Sequence, residues 1–268
     1  MSEQPDGGAR TITSRHNPLL QQLRRLGQDP GAYRKLGRVW LEGDHLCRAF
    51  LARGGRPLVA LLPARNAAQP PLRALTREAA QSVVVDDALW SDLSTLESPP
   101  PIGFLIEWQP APPLLPRARS VVLDRLQDAG NVGTILRSAA ALGVQQVVAL
   151  RGTAALWSPK VLRAGMGAHF GLHLVEGVGE EALSALEMPW VATSSHASAA
   201  LPEVRLPDPC AWVLGHEGQG VGEALMQRCA LTVRIPQPGG EESLNVASAA
   251  AICLYESARQ RWPASAPG

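Results

Sequence analysis

The chain has 268 residues, 46% of them hydrophobic and 18% charged, with a formal net charge of +1. That length accommodates two domains that each bury a core, and the composition is that of a soluble globular protein. No stretch approaches the run of about 18 apolar residues that a membrane span needs, the first residues lack the apolar centre of a secretory signal, and a near-neutral balance does not by itself mark a nucleic-acid binder.

Residues 1–10 are polar and read as disordered. Leu19, Leu20, Leu23 and Leu26 follow helical spacing. Val39, Trp40 and Leu41 read as a strand, 44–53 as a helix, 58–62 as a short apolar strand, 71–81 as a helix, and 83–85 and 102–106 as strands. Residues 11–108 therefore form a small α/β sandwich. Ten Lys/Arg stand against five Asp/Glu within residues 1–60, while the rest of the chain carries 15 and 19. Arg15, Arg24, Arg25, Arg34, Lys35 and Arg38 are concentrated there. Such a cluster suits a phosphate backbone and equally a solvated helix face. Four prolines within 109–118 make that segment a semi-rigid linker.

Residues 119–262 alternate strands (120–124, 146–150, 172–175, 190–194, 211–214, 231–235) with helical stretches (131–142, 159–165, 180–187, 243–260). This alternation predicts an α/β domain with a mostly parallel sheet, whose ligands bind beyond the carboxyl ends of the strands. Residues 263–268 read as a frayed tail.

Three segments carry the chemistry. Leu-Gly-His-Glu-Gly-Gln-Gly at 214–220 follows an apolar strand. Its glycines permit close backbone approach to a flat polar ligand or simply turn the chain. It is neither a Gly-x-Gly-x-x-Gly nor a Walker A fingerprint, which argues against a Rossmann dehydrogenase. Ile-Pro-Gln-Pro-Gly-Gly-Glu-Glu-Ser-Leu-Asn-Val-Ala at 235–247 must be a shaped loop, after which Ser243 is the expected N-cap of the last helix, with Leu244 and Asn245 in its first turn. Asn-Val-Gly-Thr-Ile-Leu-Arg at 131–137 opens a helix on Asn131. Arg137 lies among Val132, Ile135, Leu136, Ala139 and Ala140, where a long cation either snorkels to water or faces a ligand. Lys160 and Arg163 share a helical ridge and can take one phosphate. Cys47, Cys210, Cys229 and Cys253 are widely separated and read as buried thiols of a cytoplasmic protein. His169, His173 and His196 share no ligand spacing, so no metal is expected.

Taken in chain order, 131–137, 214–220 and 235–247, the three segments resemble the SpoU-type (TrmH-like) branch of the SPOUT RNA methyltransferases. The resemblance implies transfer of a methyl group from S-adenosylmethionine to a ribose 2′-hydroxyl of RNA, ribosomal RNA before tRNA, and a trefoil knot in the C-terminal domain. Ser-Arg-His-Asn-Pro at 14–18 and Arg-x-Trp-Leu-Glu-Gly at 38–43 resemble the ribosomal-protein-like substrate-binding domain often placed before such enzymes. By resemblance, Asn131, Arg137, Glu217, Ser243 and Asn245 form the catalytic neighbourhood, with Arg137 accepting or relaying the hydroxyl proton and Glu217 as the carboxylate alternative. Leu214, Gly215, His216, Gly220, Ile235, Pro236, Ser243 and Leu244 hold the cofactor. Arg15, Arg24, Arg25, Arg34, Lys35, Lys160 and Arg163 are the expected RNA contacts. The family usually has Asn at the position of His216, and relatives often have Ser at Gly165. A homodimer through the C-terminal domain is implied, with no membrane association. The competing reading keeps the fold without catalysis, as an RNA-binding or ribosome-assembly module.

Overall fold

A computed structural model describes residues 10–110, 112–240 and 243–262. The chain divides into two compact units, one comprising residues up to Pro110 with Trp157–Pro159, the other Ala111–Leu156 with Lys160–Gly268. The proposed tail at 263–268 and all but the last of residues 1–10 lie outside the described residues.

In the first unit, α1 (Pro18–Gln28) buries Leu20, Leu23 and Leu26, as their spacing requires, and starts on Asn17, whose side chain caps Leu19 N. The sheet contains β1 (Arg10–Ile12), β2 (Arg38–Glu42), β3 (Val59–Pro63), β4 (Gln81–Val85) and β5 (Gly103–Glu107), in the order β1-β4-β3-β5-β2. β3 runs parallel to β4 and antiparallel to β5. Two expectations change here. Arg10 is not disordered but pairs with Val83 at the sheet edge. The helix expected over 71–81 ends at Thr76, because the amides of Ala80 and Gln81 bond to Pro57 and Leu58 and draw the chain into β4. The short helices α2 (Ala32–Leu36), α3 (Asp44–Ala52), α4 (Pro70–Thr76) and α5 (Asp87–Trp90) complete the unit.

The second unit carries a six-stranded sheet of β6 (Ser120–Leu123), β7 (Gln146–Leu150), β8 (His173–Val178), β9 (Trp190–Thr193), β10 (Ala211–Leu214) and β11 (Leu231–Val233). The strands are all parallel, in the order β11-β9-β10-β6-β7-β8. Every residue of β6, β7 and β10 is buried, as expected of parallel strands covered on both faces. The chain moves one way from β6 to β7 and β8 and the other way for β9, β10 and β11, so the crevice of such a sheet falls between β6 and β10. Leu123 pairs with Leu214, and Val233 with Thr193, so these strand ends finish at one level.

The helices of this unit are α6 (Ala129–Ala141), α7 (Pro159–Gly165), α8 (Glu223–Arg228) and α9 (Val246–Arg261), with α9 packed on α6. Gly133 lets α6 approach α7 closely: a Cβ there would sit 2.4 Å from Ala164 Cβ and 2.7 Å from the Val161 carbonyl oxygen. The stretch expected as a helix over 180–187 is a 3₁₀ turn, Glu180–Ala185. Its continuation is lost because the Glu187 amide bonds to Pro116. No helix among the described residues is long and apolar enough to cross a membrane. Cys47, Cys210 and Cys253 are buried thiols and Cys229 is half-buried. Burial pushes Cys253 up to about 12 and Cys210 to about 11.

Candidate active site

Asp124, directly after β6, is buried, and its carboxylate accepts the Gly222 N–H at 2.8 Å. Arg125 grips the same carboxylate through Nε and Nη2 at 2.8 and 3.0 Å and donates to Gln219 at 3.4 Å. Arg125 holds this position with φ at 58°, a left-handed conformation that a non-glycine residue adopts at a cost. The glycine loop after β10 is therefore tied to the end of β6. Sequence reasoning missed both residues, whose one available signal was an adjacent acid and base at a strand's carboxyl end.

Within that loop, Gly215 has no room for a side chain. A Cβ would lie 2.0 Å from the Gly220 carbonyl carbon and 2.1 Å from Val221 N, so the loop doubles back on its own first residue. His216 closes the turn: its carbonyl accepts the Gly220 N–H at 2.8 Å and its Nδ1 accepts the Gly218 N–H at 3.0 Å. That bond needs Nδ1 unprotonated. The imidazole acts here as the amide oxygen of an Asn would, as a local tie.

Glu217 reaches across to the start of α6. Its carboxylate accepts Asp128 N at 3.1 Å, Gln127 N at 3.3 Å and Asn131 Nδ2 at 3.3 Å. Burial alone would raise this carboxyl, but its own N–H and those of Asp128, Asn131 and Gln127 hold it below the usual range. Asn131 is not the N-cap of α6. Asp128 is, accepting Asn131 N at 2.8 Å, because the chain leaves β6 earlier than expected and the helix begins at Ala129. The hydrogen bond from Asn131, before the charge of Lys160, holds Asp128 below its ordinary value.

The freed Asn131 side chain accepts Asn245 Nδ2 at 3.0 Å. Asn245 rather than Ser243 caps α9, its Oδ1 accepting Ala247 N at 2.9 Å and Ser248 N at 3.3 Å. Leu244 and Asn245 thus precede the helix rather than occupying its first turn. One directed chain of hydrogen bonds runs from α9 through Asn245 and Asn131 to Glu217. Each amide has its oxygen and nitrogen ends assigned by its neighbours.

Beside this chain lies a cleft of about 370 Å³ whose walls include Leu214, Gly215, His216, Glu217, Gly220, Ser243, Leu244 and Asn245. A second lobe of about 190 Å³ is lined by Ile235, Ser243 and Leu244 together with Thr193, Ser194, Ser195, Gln237 and Ala249. Ile235 falls past the end of β11, which stops at Val233. Pro236 lines neither lobe. Arg137 lines neither lobe, is exposed, and has no side-chain partner among the described residues. Lys160 pairs with Asp128 at 3.5 Å, and Arg163 is half-buried. In the first unit Arg15, Arg25, Arg34 and Lys35 are exposed. Arg24 is largely covered, donating to the Arg15 carbonyl at 2.9 Å and lying 3.8 Å from Asp92. Among the described residues no cluster of His, Cys, Asp or Glu could hold a metal ion.

A parallel sheet with a two-lobed cleft at its carboxyl ends, walled by loop backbone and oriented amides, defines an α/β protein built to hold a nucleoside-sized ligand. The SpoU rRNA Methylase family matches residues 118–255. An uncharacterised tRNA/rRNA methyltransferase of Synechocystis is 35% identical, over 96% of this chain and 97% of its own. The 23S rRNA (guanosine(2553)-2′-O)-methyltransferase RlmP of Bacillus subtilis is 30% identical over 80% of this chain and 86% of its own. The crystal structure of the SpoU methyltransferase AviRb from Streptomyces viridochromogenes, in complex with the cofactor AdoMet (S-adenosylmethionine), superposes with a TM-score of 0.83 at 25% identity, over 91% of this chain and 98% of that one. The chain belongs to the SpoU rRNA methylase family.

The cleft fits S-adenosylmethionine on its own geometry. The lobes together have the size of a nucleoside with an appended amino acid, and the lining combines apolar side chains with hydroxyls and amides.

Proposed function

We propose that this protein is an S-adenosylmethionine-dependent ribose 2′-O-methyltransferase acting on ribosomal RNA in the cytoplasm. The observation that carries the reading is the Asn245–Asn131–Glu217 chain standing at the cofactor-sized cleft, since it joins all three motif segments at one point. When bound, the cofactor supplies an activated methyl group, so the protein's task is positioning and removal of one hydroxyl proton.

In this reading Leu214, Gly215, His216, Gly220, Ile235, Ser243 and Leu244 hold the cofactor. Asn131 and Asn245 orient the acceptor ribose, with Ser243 beside them. Glu217, whose carboxylate already accepts three donors and is held below the usual range, sets the amide of Asn131 and is poorly suited to accept a proton. Arg137 is exposed and available to RNA. A guanidinium stays protonated near neutrality, so its part is to hold a phosphate or relay a proton. Lys160 and Arg163 of α7, and the exposed cations Arg15, Arg25, Arg34 and Lys35 of the first unit, bind RNA phosphates. That unit, with its boundary in the proline-rich stretch, serves as the substrate-binding domain.

Two further features belong to the proposal. From the sheet edge at β11 the chain returns to pack α9 on α6, next to the central strand, which supports a knotted C-terminal path. On α9, Ile252 and Tyr255 are 40% and 50% exposed, an apolar ridge that suits a second copy of the chain. Mapping ribose 2′-O-methyl positions in host RNA with and without the gene tests the activity. Loss of a 23S or 16S site confirms it, loss confined to tRNA moves the substrate, and an unchanged map rejects catalysis.

A further inference from the structure

Among the described residues, only Arg125 and Met166 hold a positive φ without being glycine. Such strain persists where the surroundings over-determine the backbone, and it concentrates at ligand clamps. The turn at Arg125 is fixed from both sides. Asp124 N donates to the Leu214 carbonyl at 2.8 Å, Thr153 Oγ1 to the Leu123 carbonyl at 3.0 Å, and Ala154 N to the Leu126 carbonyl at 2.8 Å. The stem of Arg125 lies on Gly152, where a Cβ would come within 3.2 Å of its Cγ.

What this turn holds is the glycine loop. Asp124 Oδ2 accepts the Gly222 N–H at the loop's far end, Arg125 reaches Gln219 in its middle, and the amides of Gln127 and Asp128 take Glu217 near its start. Residues 124–128 thus fasten one loop at three points. Gly218, Gly220 and Val221, which lie between those points, line the cleft, whereas Asp124 and Arg125 do not. Glycines at 215, 218, 220 and 222 leave the loop's own backbone permissive, so its shape comes from these outside ties. The Asp124 bond is charge-assisted, and Arg125 covers both carboxylate oxygens, so no unpaired charge is buried.

We propose that Asp124 and Arg125 are positioning residues for the cofactor, acting through the glycine loop to fix Gly220 and Val221 against the ligand without touching it. This rests on the cofactor reading above.

The test is calorimetric titration of the full-length protein with S-adenosylhomocysteine. Arg125→Gly keeps the left-handed turn without strain and removes only the clasp. It should lose about tenfold in affinity, the effect of one hydrogen bond to a charged group, while binding as many ligands per chain as wild type. Asp124→Ala should lose more, because the Gly222 amide is left open. Asp124→Asn, which keeps an oxygen for that amide, should recover part of the loss. Wild-type affinity in Arg125→Gly and Asp124→Ala would overturn the assignment. So would a fall in the number of sites at unchanged affinity, which marks partial unfolding, or an Asp124→Asn variant no better than Asp124→Ala. If wild type does not bind the probe, the cofactor reading itself fails, and the assignment falls with it.

Discussion

Asn131 and Asn245 lie 114 residues apart in sequence, yet their side-chain amides meet at 3.0 Å. Asn245 spends its oxygen on the α9 N-terminus and Asn131 its nitrogen on Glu217, so both ends of each amide are assigned. The two side chains are hydrogen-bonded as one unit. Turnover losses from Asn131→Ala and Asn245→Ala should therefore overlap, the double variant being little worse than either single one. Glu217→Gln should lower kcat by about tenfold or more, because an amide nitrogen would then replace one of the two acceptor oxygens and face a donor. Single-turnover rates and cofactor affinities, measured separately on true substrate RNA, check this. Fully additive losses would show independent roles.

Arg137→Ala should abolish methyl transfer while leaving cofactor affinity within a few-fold, because the residue lines neither lobe of the cleft. Near-normal turnover would remove Arg137 from the mechanism.

Gly215→Ala should weaken cofactor binding by an order of magnitude or more without unfolding the second unit. The sequence suggested that a side chain there would obstruct the ligand. The collision is instead with the loop's own return at Gly220 and Val221, so the cleft is deformed rather than filled. Circular dichroism together with calorimetry separates a folded, non-binding variant from an unfolded one.

His169 is buried, with Nε2 2.8 Å from the Leu156 carbonyl oxygen. Burial, opposed by that bond and by Glu176, lowers its pKa to about 4. The unfolded chain then binds a proton near pH 6.5 that the folded chain refuses, so stability is full above that pH and falls as pH drops towards 4, by about 3 kcal/mol in all. Urea unfolding across that window should show the slope, and His169→Gln should flatten it. Glu217, Asp128 and Asp208, all held below their ordinary values, add a separate loss only at lower pH.

Substituting Arg25, Arg34 and Lys35 with Ala should weaken RNA binding and lower its salt slope by about one for each phosphate no longer neutralised. Arg24→Ala should instead destabilise the first unit, because its side chain is only 19% exposed and its guanidinium secures the Arg15 segment. Equal salt slopes for the triple variant and wild type would show the charge to be a solvated face.

The long strands and helices of the second unit were readable because their apolar periods are unambiguous, and Asn131, Glu217 and Asn245 because they sit in ordered motifs. The caps were not. Asp128 and Asn131, like Ser243 and Asn245, are equally good capping residue types, and only the point at which the preceding chain ends decides between them. Asp124 carried only the weak signal of an acid beside a base at a strand end, since the loop it holds lies 98 residues away. β1, α2 and α8 escaped notice because three to six residues give too little periodicity. Gly165 leaves no room for the Ser that the family resemblance implied: a Cβ there would meet the His169 ring at 2.7 Å.

The absent side chain at Gly133 makes α6 and α7 a coupling without backlash. With backbone seated directly on backbone, no rotamer between the two helices can absorb a displacement. On the proposed reading, in which Lys160 and Arg163 take RNA phosphates, their helix and the one that carries Asn131 move as one piece.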